Sequence, residues 1–208
     1  AEAAAPHIRD GLPVVLCAKG IELGSNALLS QVLRETVPQA LPAVLSGPTF
    51  ADEVARGLPT GVTLACADDA VGNDLAESLG SPTFRPYLSS DVIGAQIGGA
   101  LKNVLAIAAG IVAGRSLGEN AKAAVITRGL AEMLRFGEAL GGNGITLMGL
   151  SGLGDLVLTC GSSKSRNHTL GLALARGEAA KDFLGARKSV AEGAYTAAAA
   201  MAIAQEKK

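Results

Sequence analysis

The sequence predicts an α/β unit over residues 1–90, carrying a partial parallel sheet, followed by an all-helical unit over 91–208. Two patterns carry that expectation. Up to Ser90, short continuous apolar runs alternate with stretches of helical spacing, as strands joined by crossover helices do. From Asp91 the runs lengthen to helical size and are separated by glycine-rich turns. Composition adds a constraint. Of 208 residues 49% are hydrophobic but only 3% aromatic, and 27 are glycine, so the core must come from close approach of helices and strands with small side chains.

Taken in order, Pro13 to Ala18 is an apolar run bounded by Gly11 and Gly20, which reads as a strand buried on both faces. Leu28 to Leu33 has helical spacing, and Ala43 to Ser46 and Thr60 to Cys66 are two further strands. Asp68 or Asp69 is placed to cap a helix running to about Leu79. Thr83 to Tyr87 contains Pro86, which suits an edge strand. In the second half, Ile93 to Val112 is apolar nearly all round, which marks a helix buried inside a bundle. Ala121 to Leu140 is amphipathic, with Glu132, Arg135 and Glu138 on its wet side, and Ser165 to Ala175 and Val190 to Gln205 complete the helices.

Several function classes are excluded or weakened at once. Eighteen basic against nineteen acidic residues give a net charge of -1, whereas a nucleic-acid binder relies on a basic excess. Cys17, Cys66 and Cys160 stand far apart, so free buried thiols in a reducing compartment are expected and a disulfide framework is not. His7 and His168 are isolated, and no metal set can be assembled from them. Ile97 to Gly114 has the length of a membrane span, but a mid-span lysine costs about 3 kcal/mol on insertion scales; no integral membrane segment is expected there or elsewhere. The opening Ala1–Ala5 with Pro6 lacks the regions of a secretory signal. Both ends read as cuts through a longer protein.

Two glycine motifs fail inspection. Gly149 to Gly154 carries the glycines of a GxGxxG turn in reverse spacing and follows no buried strand, and Gly110 to Ser116 is one residue short of a P-loop with Arg115 in the lysine position.

The strongest anomaly is Lys102, a cation in the middle of an apolar helix, which needs a counter-charge, a cavity or a task. Side chains on a helix lean toward its N-terminus, so Lys102 would lie over Gly98 and Gly99 and leave room for a small ligand. Snorkelling to solvent is the alternative. Asn103 would edge the same space. Asp155 is a lone carboxylate in an apolar setting and a natural partner for a buried lysine. Lys19 follows the first strand, at the carboxyl edge where open α/β sheets bind ligands, and Gly47, Pro48 and Thr49 follow the next strand; a loop charge and a plain turn are the competing readings. Ser165 is a good N-cap, and with Arg166 and Asn167 it opens a helix whose free N–H groups would make a phosphate cradle; an ordinary capped surface helix competes. Together these residues describe a site for a small phosphorylated carbonyl or alcohol.

Gly94–Val104, Gly152–Cys160 and Ser165–Asn167 closely resemble the bacterial NAD(P)-dependent glycerol-3-phosphate dehydrogenases, as do Ala18–Glu22, Leu45–Ala51 and Val190–Gly193. The resemblance runs along essentially the whole chain in the family's order. It implies a Rossmann-type nicotinamide-binding domain followed by a helical substrate domain, and cytoplasmic interconversion of dihydroxyacetone phosphate and sn-glycerol 3-phosphate for phospholipid synthesis. By the same resemblance, Lys102 is the general acid/base and touches the substrate, and Asp155 and Asn103 hold both that lysine and the substrate. Lys19, Gly47, Thr49, Ser165, Arg166 and Asn167 contact the substrate. Lys19, Ala51, Arg166, Val190 and Glu192 border NAD or NADP. The expected partner is a small phosphorylated substrate, no metal is implied, and a homodimer is a candidate assembly. The sequence has no GxGxxG strand–turn–helix, so the chain by itself is expected not to turn over substrate. A non-catalytic helical assembly module and a two-domain dehydrogenase for another hydroxy acid are the competing functions.

Overall fold

A computed structural model describes residues 2–185 and 191–206. After a 3-10 turn at Glu2–His7, the first part of the chain runs β1 (Pro13–Leu16), α1 (Leu29–Thr36), β2 (Leu41–Ser46), α2 (Ala51–Ala55), β3 (Thr60–Cys66), α3 (Asp69–Leu79) and β4 (Phe84–Ser89). The rest is helical among the described residues: α4 (Val92–Gly114), α5 (Gly118–Ala139), α6 (Gly144–Met148), a π turn (Leu150–Gly154), α7 (Asp155–Gly161), α8 (Arg166–Ala175), α9 (Ala180–Gly185) and α10 (Glu192–Glu206). The α/β-then-helical plan is the one the sequence predicts.

The four strands lie in the order β1-β2-β3-β4. β1 with β2 and β3 with β4 are parallel, but β2 and β3 are antiparallel, pairing Ala43 with Cys66 and Ser46 with Thr63. The exception has a simple cause. A crossover must travel the length of a strand, about 20 Å for six residues, and the five-residue α2 rises only about 7.5 Å. The chain therefore folds straight back. The eleven-residue α3, capped by Asp68 through the N–H groups of Ala70 and Val71, does make the return that leaves β3 and β4 parallel.

β1 is only half-buried over its four residues, against the expectation of burial on both faces, because it occupies a sheet edge and its outer side has no neighbour among the described residues. β4 is the other edge, where Pro86 does no harm. The interior strand β3 is buried from Val62 to Cys66. Cys66 and Cys160 are buried, but Cys17 is exposed just past β1; all three thiols are free.

α4 is the axis of the helical part. It is packed against α5, α7, α8 and α10, and fifteen of its 23 residues are buried, from Val92 to Val112. It has the length and hydropathy of a membrane span, and so does the run Gly144–Gly161, contrary to the sequence expectation that no other segment resembles one. That second run is interrupted by the π turn, and α4 spends its apolar surface on neighbouring helices rather than on a uniform outer face. The close packing rests on missing side chains. A Cβ on Gly110 would run into the His168 carbonyl and sit 3.0 Å from Gly171 Cα, while one on Gly171 would sit 2.8 Å from Gly110 Cα. The two backbones cross where neither helix has a side chain, which seats α8 directly on α4 and fixes where Arg166 and Asn167 stand.

Gly171→Val should therefore cost about 1–3 kcal/mol or more, the scale of overpacking a tight interface. Chemical denaturation reads it as a lowered midpoint at unchanged m; an unaltered midpoint would show that the crossing tolerates bulk.

Candidate active site

Lys102 lies in mid-α4 and is 8% exposed. Its Nζ donates to Asp155 Oδ1 at 3.0 Å and to Thr159 Oγ1 at 3.0 Å. Asp155 opens α7 and Thr159 follows one turn later on the same face, and the Thr159 hydroxyl donates in turn to Asp155 Oδ1 at 3.2 Å. The other carboxylate oxygen takes a second ammonium: Lys19 Nζ donates to Asp155 Oδ2 at 2.6 Å and to the Gly47 carbonyl at 2.8 Å. One carboxylate, 2% exposed, thus holds two lysines from opposite parts of the fold. Snorkelling is ruled out for Lys102.

Burial holds the Lys102 ammonium below the usual lysine value. Asp155 pulls the other way, and the charge of Lys19 adds to the lowering. The adjacent Cys160 is silent chemically, its thiol pushed up to about 12 by burial.

The glycine floor works differently from the sequence expectation. A Cβ on Gly98 would lie 2.6 Å from the Ser151 carbonyl, and one on Gly99 would lie 2.7 Å from Ser46 Oγ and 3.2 Å from Lys19 Cγ. The space is filled by the π turn and by the stem of Lys19. These glycines let Lys19 and Asp155 reach Lys102 instead of leaving room for a ligand beside it.

Asn103 is a knot of polar contacts. Its Nδ2 donates to the Lys19 carbonyl and to Glu192 Oε2, both at 3.2 Å, and its Oδ1 accepts from Asn167 Nδ2 at 3.0 Å. Asn167 Oδ1 then accepts from the Gly193 N–H at 2.9 Å. Both carboxamides are buried, and they tie the loop after β1 to α4, α8 and the start of α10.

Above this buried layer a cleft of about 750 Å³ opens. Lys19, Thr49 and Ala51 line it from the α/β side, and Lys102, Asn103, Asp155, Ser165, Arg166, Asn167 and Glu192 line it from the helical side. Gly47 stands behind, offering its carbonyl to Lys19, and Thr49 Oγ1 donates to that same carbonyl at 3.1 Å. Ser165 caps α8 by accepting from the His168 N–H at 3.2 Å. Arg166 is exposed and makes no ion pair among the described residues. Of the residues singled out in the sequence, Val190 lies outside the described residues. A second cavity, of about 670 Å³ between α4, α5 and α10, has a mostly apolar lining that includes Glu132 and Arg135 and none of the groups of the first cleft.

Phe50, Asp52, Leu158, Thr159 and Lys164 also line the cleft, although the sequence alone does not single them out as site residues. Thr159 was findable, four residues after Asp155 on one helical face. Lys164 and Phe50 were not. Lys164 Nζ pairs with Asp52 Oδ2 and Glu53 Oε1, each at 2.9 Å, and sits 5.6 Å from the Phe50 ring centre, contacts between segments more than a hundred residues apart. No group of residues that could hold a metal occurs among the described residues.

Residues 91–208 match the family model of the NAD-dependent glycerol-3-phosphate dehydrogenase C-terminus, and residues 1–72 match that of the N-terminus. The chain belongs to the NAD-dependent glycerol-3-phosphate dehydrogenase family. It is 58% identical over 205 residues to a Parvibaculum lavamentivorans protein named glycerol-3-phosphate dehydrogenase (NAD(P)+), covering 99% of this chain and 62% of that one. A Maricaulis maris protein of the same name is 59% identical over 200 residues, covering 96% and 60%. The crystal structure of glycerol-3-phosphate dehydrogenase from Coxiella burnetii superposes with a TM-score of 0.93 at 44% identity, over 99% of this chain and 63% of that one. The chain thus spans about three fifths of the length of these family members.

Removing the shared carboxylate strands two cations. Asp155→Asn should destabilise the protein by about 3–5 kcal/mol, as breaking a buried ion pair does. Denaturant unfolding measures it, and adding Lys102→Met to the Asp155→Asn variant should recover part of the loss.

Proposed function

We propose that the cleft is the substrate site of an enzyme that interconverts dihydroxyacetone phosphate and sn-glycerol 3-phosphate with NAD or NADP, in the cytoplasm, supplying a phospholipid precursor. One observation carries this reading: a buried lysine with a lowered pKa, held by Asp155 and Thr159, faces a cleft that also presents the exposed guanidinium of Arg166. The names of the 56–64% identical relatives support it, and the three free cysteines suit a reducing compartment. A homodimer belongs to the same proposal, and the apolar groove beside α5 and α10 supports it.

In the reduction direction the Lys102 ammonium gives a proton to the C2 oxygen of the ketone and becomes a neutral amine; in oxidation the neutral amine takes the hydroxyl proton back. Asp155 and Thr159 aim Nζ, and the second cation on Asp155, Lys19, keeps the proton from being held too tightly. Arg166, with a planar fork of donors, and Lys19 meet the phosphate and the substrate oxygens. Ser165 spends an acceptor on its own helix and keeps its O–H free to donate. Asn103 and Asn167 hold the walls of the cleft through their mutual bonds.

The described residues suit the nicotinamide end of the cofactor. Phe50 and Leu158 give the cleft an apolar wall, Ala51 leaves the approach unobstructed, and Lys19, Arg166 and Glu192 border it, as Val190 does by the family resemblance. When bound, the cofactor supplies or accepts the hydride.

Lys102→Ala should lower kcat at least about a hundredfold with the fold retained, the scale of lost general acid–base catalysis; near-normal turnover in a folded variant removes the role. In the intact enzyme the reduction rate should fall as pH rises through the lowered Lys102 pKa, because the ammonium is then lost, while the oxidation rate rises through the same pKa. Arg166→Lys should raise KM for dihydroxyacetone phosphate more than about tenfold, since an ammonium cannot reproduce bidentate contacts. An unchanged KM places the phosphate elsewhere.

A further inference from the structure

The segment between β2 and β3 supplies Thr49, Phe50, Ala51 and Asp52 to the lining of the cleft. Its helix α2 buries none of its residues. The segment begins behind Gly47 and ends at Gly57, whose φ of +70° is a left-handed conformation that favours glycine. Its hydrogen bonds around α2 are local, from Phe50 to Leu58. Among the described residues, the ion pairs joining it to the helical part are those of Lys164 with Asp52 and Glu53, both at 2.9 Å. Lys164 also stands over the Phe50 ring. It lies two residues before Arg166, and both residues line the cleft together with Asp52.

We propose that residues 48–57 form a flap over the cleft and that Lys164 is its latch, released when a phosphorylated ligand competes with Asp52 and Glu53 for the ammonium. The chemistry is that of exchange between acceptors. A phosphate dianion reaching the exposed Arg166 comes next to a second cation whose two carboxylate partners are solvent-exposed or half-exposed, and it can take that cation from them. Charge keeps the tie in place when the cleft is empty: Lys164 is held above the usual lysine value by its bonds to Glu53 and Asp52. The latch differs from the buried knot at Asp155, because salt screens it. Only the identity of the ligand rests on the dehydrogenase reading; the mobility of the flap does not.

Amide hydrogen exchange of the full chain tests the proposal without turnover, so its failure is separate from failure of the enzymatic reading. Lys164→Met should speed exchange at residues 51–58 about three- to tenfold, leaving α4 and α8 unchanged, whereas Lys164→Arg stays close to the parent. In the parent, inorganic phosphate should speed the same amides more than sodium chloride at equal ionic strength, and the difference should vanish in Lys164→Met. Unchanged exchange at 51–58 in Lys164→Met overturns the latch. So does acceleration spread equally over α8, which would make Lys164 a general structural contact, and so does a phosphate effect no larger than that of chloride.

Discussion

Two ammonium groups sharing one buried carboxylate set the terms for the rest of this molecule. Asp155 is nearly inaccessible and both lysines are mostly buried, so neither charge has water to fall back on. The arrangement is stable only if both partners arrive with good geometry, and each comes from a different part of the chain. Lys19 comes from the end of β1, Lys102 from mid-α4 and Asp155 from the start of α7. Docking the sheet on the helices and assembling the site are the same event. The trio also carries one uncancelled positive charge, which adds to the effect of burial in holding Lys102 below the usual lysine value and makes the cleft above it attractive to an anion.

That meeting is possible because α4 is stripped of side chains where others must come close. Gly98 admits the π turn that leads into Asp155, Gly99 admits the stem of Lys19, and Gly110 with Gly171 lets α8 lie on α4. The low aromatic content and abundant glycine of the sequence are the compositional trace of this packing. The Asn103–Asn167 pair adds direction, since each carboxamide spends donor and acceptor on fixed partners and registers α8 and α10 against α4. A buried, hydrogen-bonded layer of this kind lies below the cleft, while the flap is tied to the helical part by exposed ion pairs.

Much of this was legible in the sequence where local rules dominate. Asp68 and Ser165 cap the helices they were expected to cap, Pro86 sits on an edge strand, and the all-apolar run from Ile93 became the buried helix. Lys102 and Asp155 could be matched because a buried charge requires a partner and few candidates existed. The misses have physical reasons as well. The antiparallel β2–β3 pair depends on a helix one turn long, which no periodicity marks. The half-burial of β1 depends on what lies beside it, and the use made of Gly98 and Gly99 depends on segments distant in sequence. Nothing local marks Lys164, because its partners, Asp52 and Glu53, lie more than a hundred residues away.

The most direct test of the central claim is titration of the Lys102 ammonium by NMR, with the amine carbon or nitrogen isotopically labelled and the resonance assigned through Lys102→Arg. Lys102 should titrate below the usual lysine value, and Asp155→Asn should lower it further by removing the main group that opposes burial. A Lys102 that titrates at or above the ordinary value, or that does not respond to Asp155→Asn, would contradict the shared-carboxylate arrangement on which the fold and the site both rest.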